Sequence, residues 1–253
     1  GNENKYRSDL NYAKGFRTFD TNVLLQSESG KGKYFDSLLV SNSGWGSDPQ
    51  GFTRFNIEKI GIYKFNANVR KISYFNNLSN HAFGEHTTDT RNLTGDFDLS
   101  ILPQNEKLRF NLGASFSDYS GPGMTTTRAY SDEFGVNSFI RNKAYDYRAG
   151  VEGQLAGFDL SLAQGFRIFQ DRSAYSISGL NLGNNPTNNA RFETFSRIFP
   201  TNGDTYYTTF NAHRTFAKKL DFTGKFVYVF TKSNMAMNEV ESGRDNSNNI
   251  IDA

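Results

Sequence analysis

The sequence predicts an all-β protein, specifically an antiparallel up-and-down transmembrane β-barrel with about ten visible strands. Three observations favour this class. Apolar and polar side chains alternate over many segments, tight turns join consecutive segments, and the remaining connections are long and polar. A single barrel domain spanning residues 1–253 accounts for the whole chain.

The clearest alternation runs from Glu106 to Tyr119. Leucine, phenylalanine and alanine occupy the even positions from 108 to 116, and arginine, asparagine, glycine and serine occupy the odd positions between them. Because successive side chains of a strand point to opposite faces, this strand has one apolar face and one polar face. The segment Asn92–Leu102 repeats the pattern. The sequence Pro103–Glu106 is typical of a turn, so we expect an antiparallel hairpin here.

The other predicted strands show the same alternation along the chain. Lys5–Tyr12 alternates poorly and is either a first strand or a lead-in to the next one. The further predicted strands are Phe16–Ser27, Tyr34–Ser41, Phe52–Glu58, Ile62–Tyr74, Tyr145–Leu155, Phe158–Ile168, Thr205–Phe216 and Leu220–Thr231.

The connections differ in length at the two ends of the predicted strands. Short turns are expected at Lys59–Gly61, Pro103–Glu106, Ala156–Gly157 and Ala217–Lys219, and long polar loops at 76–90, 119–142, 172–203 and 233–253. Such long loops are uncommon in compact soluble domains, whereas outer-membrane barrels combine short periplasmic turns with long extracellular loops. The composition of Gly183–Asn189 predicts a solvated loop.

Composition excludes several classes of protein. The mean hydropathy is −0.62 and no run of apolar residues is long enough for a membrane-spanning helix. The chain has no cysteine, which excludes disulfides, thiolate metal sites and covalent haem attachment. A net charge of +2 with scattered basic residues does not favour nucleic acid as a partner. Aromatic residues make up 15% of the chain, with 24 Phe and 13 Tyr, which exceeds the needs of an ordinary soluble core.

Two structures can accommodate strands with one apolar and one polar face. In a soluble sandwich the apolar face packs a core, and in a membrane barrel it contacts lipid while the polar face lines a lumen. Loop asymmetry and strands flanked by aromatic residues favour the barrel. The predicted lipid-facing residues are Leu108, Phe110, Leu112, Phe116, Phe222 and Phe226. The predicted lumen-lining residues are Asp96, Asp98, Arg109, Asn111, Asp146, Arg148, Glu152, Asp159 and Arg167.

The first third of the chain resembles a known family. The segments that carry the resemblance are Tyr34–Asp36, Gly44–Pro49, Thr53–Phe55, Tyr63, Arg70 and Tyr74–Asn76. They resemble the N-terminal part of large porin-like outer-membrane proteins of acidobacterial type and, more distantly, the MtrB/PioB barrels that sheathe a multihaem cytochrome. The resemblance implies a structural role without catalytic residues. Those barrels are larger than 253 residues can make, and beyond the first third only the strand rhythm is similar.

Candidate chemistry is sparse in the sequence. His81, Glu85 and His86 are conceivable metal ligands, but a loop without a further clear ligand favours no metal site. His213 is expected to be a polar lumen-facing residue on its strand. The run Asp245–Asn249 lacks the glycine and glutamate of a calcium loop and is expected to be solvated. Trp45 either anchors the chain at the membrane interface or fills a turn. We therefore expect no enzyme and no cofactor.

The predicted location is the bacterial outer membrane, with membrane lipid as a partner. Two functions remain open: a porin-like channel for small polar solutes, and a barrel scaffold that sheathes a periplasmic or lumenal multihaem cytochrome. The last residues, including Glu239 and Asn249–Ala253, do not form the aromatic-terminated strand that usually completes such barrels. Because an unpaired strand edge is costly in lipid, we expect further strands after residue 253.

Overall fold

The computed structural model describes residues 3–28, 30–77, 87–217 and 219–253. The described part contains one helix and twelve strands. Their bounds are α1 Glu3–Leu10, β1 Thr21–Gln26, β2 Ser37–Ser43, β3 Gln50–Lys59, β4 Tyr63–Asn76, β5 Thr88–Ile101, β6 Leu108–Ala129, β7 Asp132–Leu155, β8 Phe158–Asn181, β9 Arg191–Phe216, β10 Leu220–Met235, β11 Asn238–Arg244 and β12 Ile250–Asp252.

All twelve strands belong to one antiparallel sheet. Strands β1 to β9 pair in sequence order, each with the next along the chain. Strand β9 is long enough to pair with β10 over residues 201–216 and with β11 over residues 191–198, and β12 pairs with the outer edge of β11. The predicted all-β class and the antiparallel up-and-down order are confirmed.

The predicted short turns all lie at one end of the sheet, which we call the short-turn rim. Strands β3 and β4, β5 and β6, β7 and β8, and β9 and β10 are joined there. The tightest turn consists of Ala156 and Gly157, whose φ angles of 52° and 77° lie in the left-handed region used by two-residue hairpin turns. The turn residues in the sequence therefore predicted correctly where the strands at this rim are joined.

The predicted long loops at 119–142 and 172–203 are wrong, because most of these residues are in strands. Strands β6 and β7 stay paired up to a turn made of Tyr130 and Ser131, and only residues 182–190 separate β8 from β9. The strands extend well beyond the segments with clear alternation. We call these parts the strand extensions.

The end of the chain was also predicted as a loop and instead forms β11 and β12. The reason is the length of β9, which extends past the end of β10 and offers a further pairing edge to Asn238–Arg244. Between β10 and β11, the backbone N–H of Ala236 donates to Pro200 O of β9 at 3.1 Å, so the chain stays hydrogen-bonded to β9 there. The predicted loop at 76–90 lies largely outside the described residues, and its last part, from Thr88 onward, belongs to β5.

The first element is a helix, so of the two alternatives for Lys5–Tyr12, a first strand or a lead-in, the strand is wrong. Helix α1 contacts the far end of β4. Arg7 forms an ion pair with Asp89 at 3.0 Å and lies 3.9 Å above the ring of Phe75. The backbone N–H of Asn77 donates to Ser8 Oγ at 2.8 Å. These contacts with residues distant in the chain stabilise a short polar helix, which the alternation of apolar and polar residues in its own sequence does not predict.

The buried hydrophobic cluster lies in the strand extensions and at the end of the connection between β8 and β9. Its members are Phe134, Val136, Ile177, Ala190, Phe192 and Phe195. The rings of Phe134 and Phe192 meet edge to face with 4.5 Å between their centroids. Close to this cluster the Tyr130 hydroxyl donates to Glu241, and this hydrogen bond raises the pKa of Tyr130 to about 12. The extensions therefore form a packed lobe of their own.

The connection between β8 and β9 is largely exposed, as expected for Gly183–Asn189, but part of it also contacts this lobe. The carboxylate of Asp132, which is 6% exposed, accepts the backbone N–H groups of Asn184 and Asn185, each at 3.1 Å. Asn188 Nδ2 donates to Tyr130 O at 3.1 Å. Backbone and side-chain groups of this segment therefore bind the neighbouring hairpin.

The sheet has two free edges in the described part of the chain. Strand β1 pairs only with β2, and β10 pairs only with β9, where Phe226 is opposite Phe210. Among the described residues no ladder joins β1 to β10, β11 or β12. The pairings among the described residues therefore do not close the sheet into a barrel.

Candidate functional site: the two faces of the sheet

The register separates the two predicted sets of residues onto opposite faces. Leu108, Phe110, Leu112, Phe116, Phe222 and Phe226 share one face, which we call the apolar face. Asp96, Asp98, Arg109, Asn111, Asp146, Arg148, Glu152, Asp159 and Arg167 share the other, which we call the polar face. The alternation seen along each strand is thus kept in phase across the whole sheet.

Apolar side chains form continuous rows across the apolar face. One row crosses ten strands through Val23, Val40, Phe55, Ala67, Phe97, Ala114, Tyr147, Phe166, Tyr206 and Phe230. Within such rows Leu112 is 46% exposed and Phe226 is 57% exposed. This face carries no second layer of sheet in the described structure. Exposed apolar area on this scale indicates an interaction surface.

A polar row ends this apolar band on the side away from the short-turn rim. It runs through Lys71, Leu93, Asp118, Lys143, Gln170, Asn202 and Asn234. Within it Lys143 Nζ lies 3.2 Å from Asp118 Oδ2. From Leu108 to Phe116 the band measures roughly 27 Å along the strand, or about 21 Å in height at a tilt of about 40°. This height approaches the apolar band of outer-membrane barrels, about 25 Å.

Beyond the polar row, the buried apolar side chains lie on the opposite face of the sheet, whereas Phe139 and Ile198 stay on the apolar face and are exposed. In β7, Tyr145, Tyr147 and Val151 lie on the apolar face, whereas Phe134 and Val136, beyond the row, lie on the same face as Asp146. The extensions of β8 and β9 behave alike, with Ile177 and Phe195 on the side of the polar face. The face that carries most of the apolar side chains therefore differs between the part of the strand near the short-turn rim and the part beyond the row.

Arg148 is the centre of a charged network on the polar face. Its Nη2 atom lies 2.5 Å from Asp98 Oδ1 and 3.4 Å from Asp96 Oδ2, and its Nη1 atom lies 3.9 Å from Asp146 Oδ1. The Tyr207 hydroxyl donates to Asp146 Oδ1 at 3.0 Å. One guanidinium group therefore holds three carboxylates from two strands in place.

Two glycines make this network possible. Asp98, Gly113, Arg148, Gly165 and Tyr207 are direct neighbours in one row across five strands. A Cβ atom on Gly113 would lie 2.3 Å from Arg148 Nε, and one on Gly165 would lie 1.9 Å from Tyr207 Cζ. The two long side chains therefore lie flat across the glycine positions and reach carboxylates two strands away.

A second polar network lies closer to the short-turn rim. Glu152 receives hydrogen bonds from Arg109 Nε at 2.7 Å and from Asn111 Nδ2 at 3.0 Å. His213 lies on this face, as predicted, with its Nδ1 atom 3.7 Å from Asp159 Oδ2. Asp159 also accepts from Gln154 Nε2 at 2.8 Å. Arg167 sits opposite Asp146 in the register without a close ion pair to it among the described contacts.

Sequence reasoning missed Tyr207, Gly113 and Gly165. Tyr207 was unmarked because tyrosine occurs on both faces of these strands. The glycines appeared as ordinary small residues of the polar face. The signal that could have identified them is the alternation of glycine and long polar residues in one row, and that row is visible only once the register of five strands is known.

The remaining candidates have other surroundings. His81, Glu85 and His86 lie outside the described residues, and no metal-binding cluster of acidic residues or histidine occurs in the described part. Asp245 accepts hydrogen bonds from the backbone of Ser247 and Asn249 and so closes the β11–β12 turn. Trp45 donates from Nε1 to Thr53 Oγ1 at 2.8 Å and fills the turn before β3. Its role as an interface anchor stays a prediction.

Of the helical residues that the structure describes, none forms a helix with the length and hydropathy required to cross a membrane. The chain matches none of the protein-family models, curated proteins or solved structures with which it was compared. The resemblance to acidobacterial porin-like proteins and to MtrB/PioB barrels accordingly stays a prediction.

Proposed function

We propose that this sheet belongs to a β-barrel of the bacterial outer membrane and forms a passage for small polar solutes. In this proposal the apolar face contacts lipid and the polar face lines an aqueous lumen. The chain acts as a conduit and not as an enzyme. In such a barrel the free edges of the sheet would be paired, because unpaired backbone groups are unfavourable in hydrocarbon.

The observation that carries the proposal is the change of face at the polar row. A soluble sandwich needs apolar residues on the same inner face along the full length of its strands. A barrel that leaves the membrane needs them outside within the lipid and inside above it. The placement of Tyr147 on one face of β7 and of the buried Phe134 on the other supports the second arrangement.

The network around Arg148 suggests how the lumen would select solutes. Among the predicted lumen-lining side chains carboxylates outnumber guanidinium groups, so a modest preference for cations follows. Arg148 offsets the negative charge of Asp96, Asp98 and Asp146 at the middle of the band. Mixed charges that bind each other also leave room for water and for uncharged polar solutes.

Conductance of the purified protein in a planar bilayer tests the proposal. The native protein is expected to form ion-conducting pores. Arg148→Gln should raise the ratio of cation to anion permeability by roughly twofold or more, because three carboxylates lose the guanidinium group that offsets their charge. Arg128→Gln makes the same charge change on the apolar-face side of the β6 extension and is expected to leave the ratio unchanged. Absence of conductance in a folded preparation would refute the channel.

A haem absorption spectrum of the complex isolated from its native membrane tests the alternative function. A haem band that co-purifies with a non-conducting barrel would support the scaffold for a multihaem cytochrome. Conducting pores without haem would support the porin-like channel.

A further inference from the structure

A cavity of about 490 Å³ lies on the polar face beyond the apolar band. It is formed by the extensions of β5 to β9 and is separate from the Arg148 network. Its volume lies within the range of small-molecule sites in proteins, about 300–1,000 Å³. None of the functions considered above uses it.

Glycines create the space at the bottom of the cavity. Gly121 and Gly123 in β6 face it without side chains, between Thr88 and Thr90 on β5 and Ser138 on β7. A Cβ atom on Gly123 would lie 3.1 Å from Ser138 Oγ, so a larger side chain there would occupy the cavity. The backbone is thus exposed to a ligand where side chains would otherwise meet.

Hydroxyl groups dominate the polar lining. Thr126 and Thr127 contribute two of them, and the Thr126 hydroxyl donates to Glu133. Six others belong to Thr88, Thr90, Tyr119, Thr125, Ser138 and Tyr175. Within the part of the chain that the structure describes, these hydroxyls make no side-chain hydrogen bond to another residue. Each hydroxyl can donate one hydrogen bond and accept others. These six hydroxyls therefore offer free donors and acceptors that carry no charge.

The charge and the rings near the cavity narrow the class of ligand further. Arg197 is the sole charged lining residue in the described structure, and it is bound to Glu239, so its charge is already offset. Phe199 and Tyr175 meet edge to face with 6.3 Å between their centroids and supply apolar surface. A ligand that fits has several hydroxyls, no net charge and one apolar side.

We propose that this cavity binds a neutral carbohydrate of one or two sugar rings. The sugar hydroxyls satisfy the threonine, serine and tyrosine hydroxyls, and the C–H side of a ring packs against Tyr175 and Phe199. The inference goes beyond the proposed passage and does not depend on it, because binding in detergent requires neither a membrane nor a conducting pore.

Isothermal titration calorimetry of the detergent-purified protein with glucose and maltose tests the inference. Gly123→Leu fills the cavity and should weaken binding by roughly tenfold or more, and Tyr175→Phe, which loses one hydroxyl, by roughly three- to tenfold. Gly135→Leu is the matched control, since it adds the same side chain to the opposite face of β7, where no atom lies within 4 Å of the new Cβ.

Each outcome decides the matter. Binding of either sugar that is lost in Gly123→Leu and kept in Gly135→Leu supports the site. Equal binding in both leucine variants, or no binding of either sugar to the native protein, overturns it. Gluconate, the acid related to glucose, should bind much more weakly, and equal affinity for gluconate would overturn the neutral class. Tyr175→Phe keeps the test decisive if Gly123→Leu does not fold.

Discussion

At the scale of single residues, Asp36 shows how a buried charge connects two turns at the short-turn rim. It is 4% exposed and receives hydrogen bonds from Ile60 N at 2.9 Å and Gly32 N at 3.0 Å, and Lys59 Nζ lies 3.2 Å from its Oδ2. Burial by itself would raise the pKa of Asp36. The hydrogen bonds, including one from Ser27, outweigh burial and hold the pKa at about 2.

This depressed pKa predicts a pH dependence of stability. Because the folded protein binds the Asp36 proton more weakly than the unfolded chain, the stabilisation is complete above the ordinary pKa of 3.8 and is lost as the pH falls toward about 2. Asp36→Asn should reduce the free energy of unfolding near neutral pH. It should also make that free energy vary less with pH between about 2 and 3.8. Chemical unfolding in detergent at several pH values measures this. Asp20→Asn, at an exposed position, is the control. If it lowers the free energy of unfolding as much as Asp36→Asn does, the prediction is contradicted.

At the scale of elements, the β8–β9 connection depends on one glycine. Gly183 has a φ of 70°, and a Cβ atom there would lie 2.6 Å from the carboxylate of Asp132. That carboxylate is the group that binds the connection to the β6–β7 turn. Gly183 therefore combines a left-handed backbone with a close approach, and either requirement alone favours glycine.

Gly183→Ala should therefore destabilise this connection more than Gly179→Ala does. Gly179 also has a positive φ, 86°, but no atom lies within 4 Å of a Cβ added there. The free energy lost in Gly179→Ala therefore measures backbone strain alone, about 1–2 kcal/mol. The difference between the variants reports the contact with Asp132. Limited proteolysis within 182–190 provides the measurement. Equal rates in the two variants would mean that the contact contributes nothing.

The two faces of β6 give a second prediction at this scale. Leu112→Arg places a charge at the middle of the apolar band and should cost about 2 to 4 kcal/mol of folding free energy in lipid. Ser115→Arg lies on the polar face beside carboxylates and should cost much less. Folding into lipid vesicles, followed by gel mobility, compares them. Equal impairment would refute the lipid and lumen assignment.

At the scale of the whole molecule, the sheet has a clear polarity between its two ends. Four short turns lie at one rim, and the packed lobe lies at the other. In a barrel of the outer membrane the short turns are periplasmic and the larger structures extracellular. The sequence predicted long loops at the rim opposite the short turns. In the structure most of the residues at 119–142 and 172–203 instead extend the strands toward that rim.

Labelling with a membrane-impermeant maleimide on intact cells tests this orientation. The chain has no cysteine, so a single introduced thiol reports one position. Asn189→Cys, exposed in the β8–β9 connection, should be labelled on intact cells. Gln104→Cys, exposed at the short-turn rim, should be labelled only after the outer membrane is opened. The reverse result would place the lobe in the periplasm.

The sequence by itself determined the features that depend on neighbouring residues. The period of two along β6 fixed which side chains share a face, because alternate direction is a property of the extended backbone. Turn residues such as Ala156–Gly157 fixed the short-turn rim, because left-handed φ angles are a local requirement. The antiparallel order followed from these two facts.

Tertiary structure alone decided what depends on distant residues. The extensions of β7 and β8 were unrecognised because apolar side chains such as Phe134 and Ile177 lie on the opposite face beyond the polar row, which interrupts the period. Helix α1 is held by contacts such as Arg7 with Asp89, 82 residues away in the chain. The Arg148 network spans strands 50 residues apart, and its glycine row exists only in the paired sheet. Register is set by the sum of all pairings, so no single segment contains it.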